Sequence, residues 1–449
     1  MVPAARVAAA IDALPAPAFY TRPVPSIPAQ PRSPLGIIFL TVFISMIGFG
    51  IVIPVLPVYA KNAPFQMNPT QLGWLVGIFS LVQLFSAPII GKLSDRFGRK
   101  PVLLVSIIGT AVGYFVTGAA GAVWMLFLGR IIDGASGGNI ATAQACIADV
   151  TPPEQRSKSM GFIGMAFGLG FILGPAIGGV LVQWGHEVPF YFAGALSVLN
   201  AVFVVARLPE TLTEEKRLHP AAKAALSGVF TGGRGGFIGL LLAATLTVTT
   251  GFAFIHVLFA LFCGDHFGWT TEQTSYAFAY VGLLAVFVQG GLLRQLLKRD
   301  IEKELAVVGA ALLAVSLWLM PRAESVSGFL WVCALMALGN GLVTPVLSGM
   351  ASRHVHGLAQ GRVLGLMSAA GSLGRFLGPA LAVLPLPANF SLLERPLQGA
   401  VRASVDAGYQ TAFTTSAIIV AAATVFALLL RVPKEEIDLP PVSATASET

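Results

Sequence analysis

Charged residues are scarce in this sequence. Asp, Glu, Lys and Arg together make up 11% of its 449 residues, whereas a soluble globular domain carries about 25%. Hydrophobic residues make up 55%, and the mean hydropathy is +0.79. A water-soluble fold with a charged surface is therefore excluded. The composition predicts a chain that crosses a lipid bilayer several times and contacts the lipid over much of its surface.

Cysteine is also rare, with three residues that lie far apart in apolar runs, Cys146, Cys263 and Cys333. This spacing excludes a disulfide framework and a zinc-type motif. His354 and His356 also lack a metal-ligand spacing, and no nucleophile–base arrangement of a soluble enzyme is recognisable. We therefore expect buried, inert thiols, no catalytic residue, no metal site and no cofactor.

Positive charge is in excess, with 28 Lys and Arg against 21 Asp and Glu. Most of these Lys and Arg residues fall in the two termini and in alternate connections between apolar segments. Lys and Arg near the ends of membrane helices remain on the cytoplasmic side. We therefore expect both termini in the cytoplasm, a multi-pass protein of the cell (inner) membrane, and no nucleic-acid partner.

Apolar segments of about 20 residues, the length of a membrane-spanning helix, recur twelve times. The predicted spans are 35–60, 71–91, 101–120, 123–148, 159–183, 188–207, 236–263, 273–295, 304–321, 327–350, 362–384 and 409–431. A flexible tail, a six-helix bundle, a cytoplasmic linker, a second six-helix bundle and a second tail are then expected over 1–34, 35–207, 208–235, 236–431 and 432–449.

An internal repeat relates the two predicted bundles. The fifth and eleventh spans share a Gly-Pro-Ala core, and Gly174 and Gly378 in these cores are 204 residues apart. Gly77 and Gly282, each preceded by valine in the second span of its bundle, are 205 residues apart. Two spacings that agree so closely predict a duplicated chain with two halves related by an axis along the membrane normal.

The segment GKLSDRFGRK, residues 91–100, connects the second and third spans. We expect a tight basic turn here, in which Gly91 and Gly98 allow close backbone approach. The pattern G-x-L-x-D-R-x-G-R-K resembles the loop between helices 2 and 3 of the major facilitator superfamily. This resemblance implies an all-α membrane fold of two six-helix bundles and a transporter that works by alternating access. An arbitrary basic membrane loop is the alternative.

Charged residues of this segment are candidates for a gating motif. We expect Asp95 to pair with Arg96 or Arg99, or to cap a neighbouring helix. Asp149, at the predicted cytoplasmic end of the fourth span, is a second partner for these arginines, and Lys100 completes the basic cluster. The resemblance implies a latch that holds one conformation of the two halves. Orientation of the protein by positive charge alone is the alternative.

The fourth span contains Arg130 and Asp133, three residues apart and so on one helical face. Gly137 and Gln144 fall near the same stripe. An arginine facing lipid at the bilayer centre costs at least about 2.5–3.5 kcal/mol, so this stripe is expected to face a cavity or a partner. Protonation of Asp133 would release the charge of Arg130, which gives a basis for proton coupling. The position resembles the helix-4 arginine of superfamily antiporters; a static ion pair is the alternative.

The fifth span is rich in small residues, with Gly168, Gly174, Pro175 and Gly178. Small residues four apart permit close helix crossing, and proline favours a kink. The segment resembles the antiporter motif of the drug:proton antiporter branch, which implies a hinge that seals a leak path. Tight packing alone is the alternative.

The first span, with the run IGFGIVIPVLP, resembles tetracycline- and drug-efflux members of the superfamily. Many of these carry an acid three residues before the first glycine of their pattern. Here Ser45 stands in that position relative to Gly48. A coupling carboxylate is therefore missing, and Asp133 is the only acid that we place deep in a span.

Several further polar residues are candidates to line a substrate cavity. They are Gln83, Gln144, His256, Asn340 and Arg375. His256 is expected to be either a core residue in an aromatic setting or a proton or ligand site, and the amides to be cavity donors or interhelical hydrogen-bonding groups. Arg375 has no acid at its depth and is expected to bind an anionic solute group or backbone carbonyls. The interior is then net positive, which favours anionic or zwitterionic substrates.

The leading hypothesis is a monomeric transporter that exports a drug-like organic solute in exchange for protons. Uptake or facilitated transport of an anionic metabolite, a metal chelate or an ion is the alternative among transporters. A non-transporting membrane receptor or assembly factor is the alternative of another class. It is supported by the weak copy of the basic hairpin at 290–305 in the second half.

Overall fold

The computed structural model describes residues 34–62, 64–151, 153–212, 234–299, 301–354, 358–387 and 398–430. These residues are almost entirely helical, and ten of the helices are long and apolar enough to cross a membrane. Both predicted tails, apart from Pro34, and most of the predicted linker lie outside the described residues.

The described part of the first half is built of helices, and one of them, α2, begins at a capping box. Asn68 and Gln71 exchange side-chain-to-backbone hydrogen bonds there, with Pro69 at the first helical position. These helices are α1 (Leu35–Lys61), α2 (Pro69–Phe97), α3 (Arg99–Gly118), α4 (Val123–Ser136), α5 (Asn139–Val150), α6 (Pro153–Leu181) and α7 (Val188–Arg207).

The second half follows the same plan, and its helix α10 begins at an equivalent capping box formed by Thr270 and Gln273. After its α-helical part, α10 continues through a π-helical turn over Val288–Leu292 and a last turn over Leu293–Leu296. The helices are α8 (Arg234–Ala253), α9 (Ile255–Phe267), α10 (Thr271–Phe287), α11 (Glu302–Leu319), α12 (Val326–His354), α13 (Leu358–Ala382) and α14 (Gly399–Leu429).

Two of the predicted spans are interrupted. The fourth span is divided into α4 and α5 at Gly137 and Gly138, and the seventh is divided into α8 and α9 at Phe254. Hydropathy is continuous across Phe254 and predicts a single helix there, whereas residues 136–139 in the fourth span are a Gly-rich polar stretch. With each pair counted as one span, the described helices form the predicted all-α fold of twelve spans.

The two halves pack alike. Within the halves, α1 packs along α6 and α8 packs along α13; between them, α2 packs on α13 and α10 on α6. A methyl group built on Gly77 would lie 2.9 Å from the Phe376 carbonyl oxygen, and one on Gly282 would lie 2.7 Å from the Phe171 carbonyl oxygen. Both the glycines and the phenylalanines are 205 residues apart. Equivalent positions of the repeat therefore make equivalent contacts.

The seam between the halves is closed at one end of the molecule, named here the Lys61 end, and open at the opposite end, named the hairpin end after the Gly98 turn. Gly73 and Gly91 lie on the same face of α2, about five turns apart. A methyl group on Gly73 would lie 2.6 Å from the Pro379 carbonyl oxygen of α13, whereas one on Gly91 would have no atom of the described residues within 4 Å. The halves therefore diverge toward the hairpin end.

The tight turn predicted over residues 91–100 is wrong for most of its length. Helix α2 continues to Phe97, and only Gly98 separates it from α3. Helical backbone is favoured at the membrane boundary because it satisfies its own hydrogen bonds. Gly98 has φ = 107°, which side chains rarely allow. Close backbone approach at Gly91 is also a wrong prediction for this conformation, since among the described residues no atom lies within 4 Å of a methyl group built there.

Candidate transport site

A buried ion pair lies in the interior of the first half. Arg130 Nη1 donates to Asp133 Oδ2 at 3.0 Å, and the two residues are 4% and 3% exposed. The Arg130 guanidinium also lies over the Phe79 ring, 4.5 Å from its centroid. Among the described residues, Arg130 Nε has no hydrogen-bond partner. Loss of either charge would therefore leave the other uncompensated in a poorly solvated setting.

The ion pair is followed directly by the interruption between α4 and α5. Gln83 Nε2 donates to the Gly137 carbonyl oxygen at 2.8 Å, and Ser86 Oγ donates to the Gly134 carbonyl oxygen at 2.9 Å. Side chains of α2 thus satisfy two carbonyl groups at the end of α4. The Gln83 amide group, a candidate cavity donor, is used as an interhelical hydrogen-bonding group.

A narrow cavity lies between the two halves, beside Arg130. Helices α1 and α2 supply most of its wall, which is apolar and includes Phe49, Leu56 and Phe79. The polar lining consists of a serine, a histidine and two arginines: Ser80, His256, Arg130 and Arg375. No acidic residue lines this cavity in the part of the chain that the structure describes.

His256 and Arg375 come from the second half. His256 follows the interruption at Phe254, and its ring lies edge-on to Phe252 with centroids 6.1 Å apart. Arg375, half-buried on α13, donates from Nη2 to Ser372 Oγ at 2.9 Å. The two halves of the repeat therefore each contribute one arginine to the same cavity.

Three other residues of interest lie away from this cavity. Gln144 is exposed on α5, and the Asn340 amide oxygen accepts a hydrogen bond from Thr344 Oγ1 at 3.1 Å. Ser45 Oγ donates to the Thr41 carbonyl oxygen at 3.0 Å, and Asn200 of α7 donates to the same carbonyl at 3.1 Å. The position of the missing helix-1 acid is thus turned toward α7.

At the hairpin end, Arg99 binds three side chains. Its Nε donates to Asp149 Oδ2 at 2.9 Å, and its Nη1 contacts Asp95 Oδ1 at 2.5 Å and Ser94 Oγ at 2.7 Å. Arg99 is 8% exposed. This group, named the Arg99 cluster, joins the ends of α2, α3 and α5. Asp95 therefore pairs with Arg99, one of its two predicted arginine partners. The guanidinium of the other, Arg96, lies over the Phe97 ring.

The sequence reasoning missed Glu210. Its carboxylate accepts hydrogen bonds from the backbone N–H groups of Arg99, at 2.8 Å, and of Lys100, at 3.2 Å. Lys100 Nζ donates to the Val205 carbonyl oxygen at 2.9 Å. A carboxylate is favoured at a helix N-terminus by the partial positive charge there. The only signal in the sequence was that Glu210, to which we had given no role, follows closely after the sixth span.

A second missed group closes the Lys61 end. Lys61 Nζ lies 3.1 Å from Asp265 Oδ1, and Tyr409 Oη donates to Asp265 Oδ2 at 2.7 Å. The side chains of Lys61 and Asp265 are only 14% and 4% exposed. This group, named the Lys61 cluster, links α1 of the first half to α9 and α14 of the second. Lys61 and Asp265 are 204 residues apart, the offset of the internal repeat, so the signal was present in the sequence.

The small residues of α6 contact two different helices. A methyl group on Gly174 would lie 2.7 Å from the Cα atom of Gly50, and Gly178 also faces α1. Gly168 instead faces α10 of the other half. Pro175 lies inside α6 without ending it. Helix α6 therefore packs closely within its own half and also forms part of the seam.

Comparisons with known proteins agree with this architecture. Residues 38–379 match the profile of the Major Facilitator Superfamily. The chain is 31% identical over 362 residues to the class C tetracycline resistance protein of Escherichia coli, covering 80% of this chain and 90% of that protein. It is 30% identical over 355 residues to multidrug resistance protein 2 of Bacillus subtilis (strain 168), with 77% and 86% covered.

A solved structure has the same fold. It is the crystal structure of a bacterial homologue of the human lysosomal transporter Spinster in an inward-facing, unoccupied conformation. The TM-score is 0.74 at 16% identity, and 88% of this chain and 96% of that chain are covered. Because the family profile spans most of the sequence, the chain belongs to the Major Facilitator Superfamily and is an integral, multi-pass membrane transporter of small molecules rather than an enzyme.

Proposed function

We propose that this transporter exports a small organic solute by alternating access, in exchange for protons. The Arg130–Asp133 pair beside the cavity carries this proposal. Protonation of Asp133 would leave Arg130 without its compensating charge, and so would change the charge of the cavity wall. The names of the relatives, which are tetracycline and multidrug resistance proteins, support a drug-like solute.

The hairpin end is basic, which supports a cytoplasmic position for it and for both termini in the cell membrane. With that orientation, the open seam faces the cytoplasm and the Lys61 cluster closes the outer face. The contacts of the Arg99 cluster hold α2, α3 and α5 of the first half together, and a latch here that holds one conformation of the two halves stays a prediction. One chain contains the whole cavity, so the transport unit is a monomer that works with protons in a lipid bilayer.

The first prediction concerns Asp133→Asn in proteoliposomes. We expect substrate-induced proton movement, followed with a fluorescent pH dye, to fall at least about ten-fold, because the amide cannot carry the coupling proton. The probes are tetracycline, a quinolone and 1-naphthoate, each tested with and without a pH gradient. Thermal unfolding in detergent shows whether the variant remains folded.

Asp406→Asn is the matched control, since Asp406 is a half-buried acid on α14 that pairs with Arg402 and does not line the cavity. It is expected to retain coupling. If Asp133→Asn still concentrates a probe on a pH gradient, Asp133 is not the coupling site. If wild-type protein moves none of the probes, with or without the pH gradient, the receptor or assembly-factor hypothesis is favoured.

Uptake of an anionic metabolite or a metal chelate is the second candidate function. Arg375 favours it, because this guanidinium lines the cavity and forms no ion pair among the described residues. The same vesicles separate the two candidates by direction. Exchange requires the probe and the proton to move in opposite directions, whereas cotransport moves both together.

A further inference from the structure

We propose that the substrate is an organic anion with a compact apolar body, and that the Arg375 guanidinium binds its charged group. This inference rests on the proposed transport function and names the class of substrate for the same cavity. It concerns the charge of the solute and is independent of the direction in which the solute moves.

The first observation is the unequal pairing of the two cavity arginines. Arg130 is neutralised by Asp133 at 3.0 Å, whereas Arg375 contacts a neutral hydroxyl of its own helix, Ser372 Oγ, at 2.9 Å. Within the described ranges, no carboxylate lies at ion-pair distance from Arg375. A guanidinium offers five N–H donors, so most of those on Arg375 remain available to a ligand.

The second observation is the composition of the lining. The described wall contains two guanidinium groups and one imidazole but no acidic side chain. With Arg130 compensated, the Arg375 charge is not balanced locally. An uncompensated charge in a poorly solvated site is costly, and a bound carboxylate or sulfonate would offset that cost with charge-assisted, bidentate hydrogen bonds.

The third observation is the apolar remainder of the cavity. The Phe49 and Phe79 rings lie 5.8 Å apart, and aliphatic side chains of α1 and α2, such as Leu56 and Val76, complete the wall. A small hydrated inorganic anion gains nothing from such a surface. An aromatic or aliphatic body attached to the anionic group would bury its own apolar surface there.

The position of Arg375 also suits a substrate-binding role during alternation. The next residue, Phe376, contacts Gly77 across the seam, and its ring lies 5.4 Å from that of Trp74. Arg375 is therefore one residue from the surface along which the halves move relative to each other. A bound anion would contact both halves, so a change in the packing of this seam would alter the site that holds it.

The test compares three probes with the same body and different charge: 1-naphthoate, 1-naphthamide and 1-naphthylmethylammonium. Binding to the purified full chain in detergent is measured by tryptophan fluorescence, without any ion gradient. We expect 1-naphthoate to bind about ten-fold or more tightly than 1-naphthamide, and the cation to bind least. Arg375→Gln is expected to abolish this preference, and Arg375→Lys to restore part of it.

Arg402→Gln is the control, because the Arg402 side chain is half-exposed on α14 and pairs with Asp406. It is expected to retain the wild-type order of binding. Equal affinity for the three probes, tightest binding of the cation, or an unchanged preference in Arg375→Gln would overturn the proposal. The charge series on wild-type protein decides the matter even if Arg375→Gln does not fold.

The result is separable from the test of coupled export. Binding of the naphthoate with the expected preference, but no response to a pH gradient, would contradict proton coupling and support the anion site. Gradient-driven transport of tetracycline by a protein that shows no preference for the naphthoate would support coupled export and overturn the anion site.

Discussion

The Lys61 cluster joins residues that occupy equivalent positions in the two halves of the repeat. In a duplicated chain, residues close to the axis between the halves meet their own counterparts, and here one counterpart is a lysine and the other an aspartate. Because Asp265 is almost fully buried and also accepts from Tyr409, the pair is shielded from solvent and stabilises closure at this end.

The residue-scale prediction is that Lys61→Met raises the population of the conformation in which the Lys61 end is open. The reporter is Ser275→Cys, because Ser275 is buried at the seam beside Gly179, and the three native cysteines are buried. Labelling of this cysteine by a membrane-impermeant maleimide is expected to accelerate about ten-fold, the effect of about 1.4 kcal/mol on the equilibrium. Slower or unchanged labelling would contradict a role in closure.

Lys61→Arg is the matched control for this experiment, since it preserves the positive charge and is expected to leave the labelling rate near that of the reporter alone. A background labelling rate measured on protein without Ser275→Cys corrects for the native thiols. Both measurements use the same membrane preparation, so differences in expression do not enter.

At this scale, contacts between neighbours in sequence were the predictable ones. The spacing of Arg130 and Asp133 on one helical face indicates their pairing, because three residues make nearly one turn. The contacts of Glu210 with the first turn of α3, and of Lys61 with Asp265, join residues more than 100 positions apart. They depend on helix packing, which residue types alone do not specify, although the repeat offset of 204 residues relates Lys61 to Asp265.

At the scale of elements, the connection between α2 and α3 is a single glycine. Gly98 has φ = 107°, and the Arg99 cluster and Glu210 surround it. The chain can therefore reverse without a loop, and the charged groups lie at helix ends where they make hydrogen bonds. Gly91, seven residues earlier, lies within regular helix with open space around it.

These two glycines make a matched pair for a stability measurement. We expect Gly98→Ala to lower the free energy of unfolding by about 1–2 kcal/mol, because alanine is strained at positive φ. Gly91→Ala is expected to raise it by about 0.5–1 kcal/mol, because alanine favours helix. Thermal unfolding midpoints in detergent check both. A loss of stability in Gly91→Ala as large as in Gly98→Ala would contradict the assignment.

The existence of the helices followed from apolar runs of membrane length, but some of their ends did not, since α2 extends past residue 91 to Phe97 and α14 begins at Gly399 and not at 409. The sixth span was predicted over 188–207 and is found as Val188–Arg207. The interruptions at Gly137 and Phe254 were not predicted. Apolar residues continue through Phe254, whereas residues 136–139 are a short Gly-rich polar stretch that the predicted fourth span ran through. The interruptions depend on tertiary contacts, such as the hydrogen bond from Gln83 to the Gly137 carbonyl group.

At the scale of the whole molecule, alternating access requires the seam to close at the hairpin end when it opens at the Lys61 end. Gly73 and Gly91 lie on one face of α2, at opposite ends of this seam. In the present conformation α13 covers Gly73 and leaves Gly91 free. In the alternate conformation we expect these two environments to be exchanged.

The corresponding prediction uses Gly73→Leu and Gly91→Leu. Both are expected to lower transport, but by blocking closure at opposite ends. Labelling of Ser275→Cys from outside should rise in Gly73→Leu, where the leucine meets the Pro379 carbonyl group, and should fall in Gly91→Leu. The same direction of change in both variants would contradict a rocking motion of the two halves.

The anion site proposed at Arg375 has an energetic consequence for the living cell. In the proposed exchange, outward movement of one organic anion for one entering proton would carry two elementary charges across the bilayer, which would make the cycle electrogenic. The membrane potential contributes about 2.3 kcal/mol per charge at 100 mV. A potassium diffusion potential, interior negative, should then drive expulsion of the anion from a cell or vesicle even when the pH is equal on both sides.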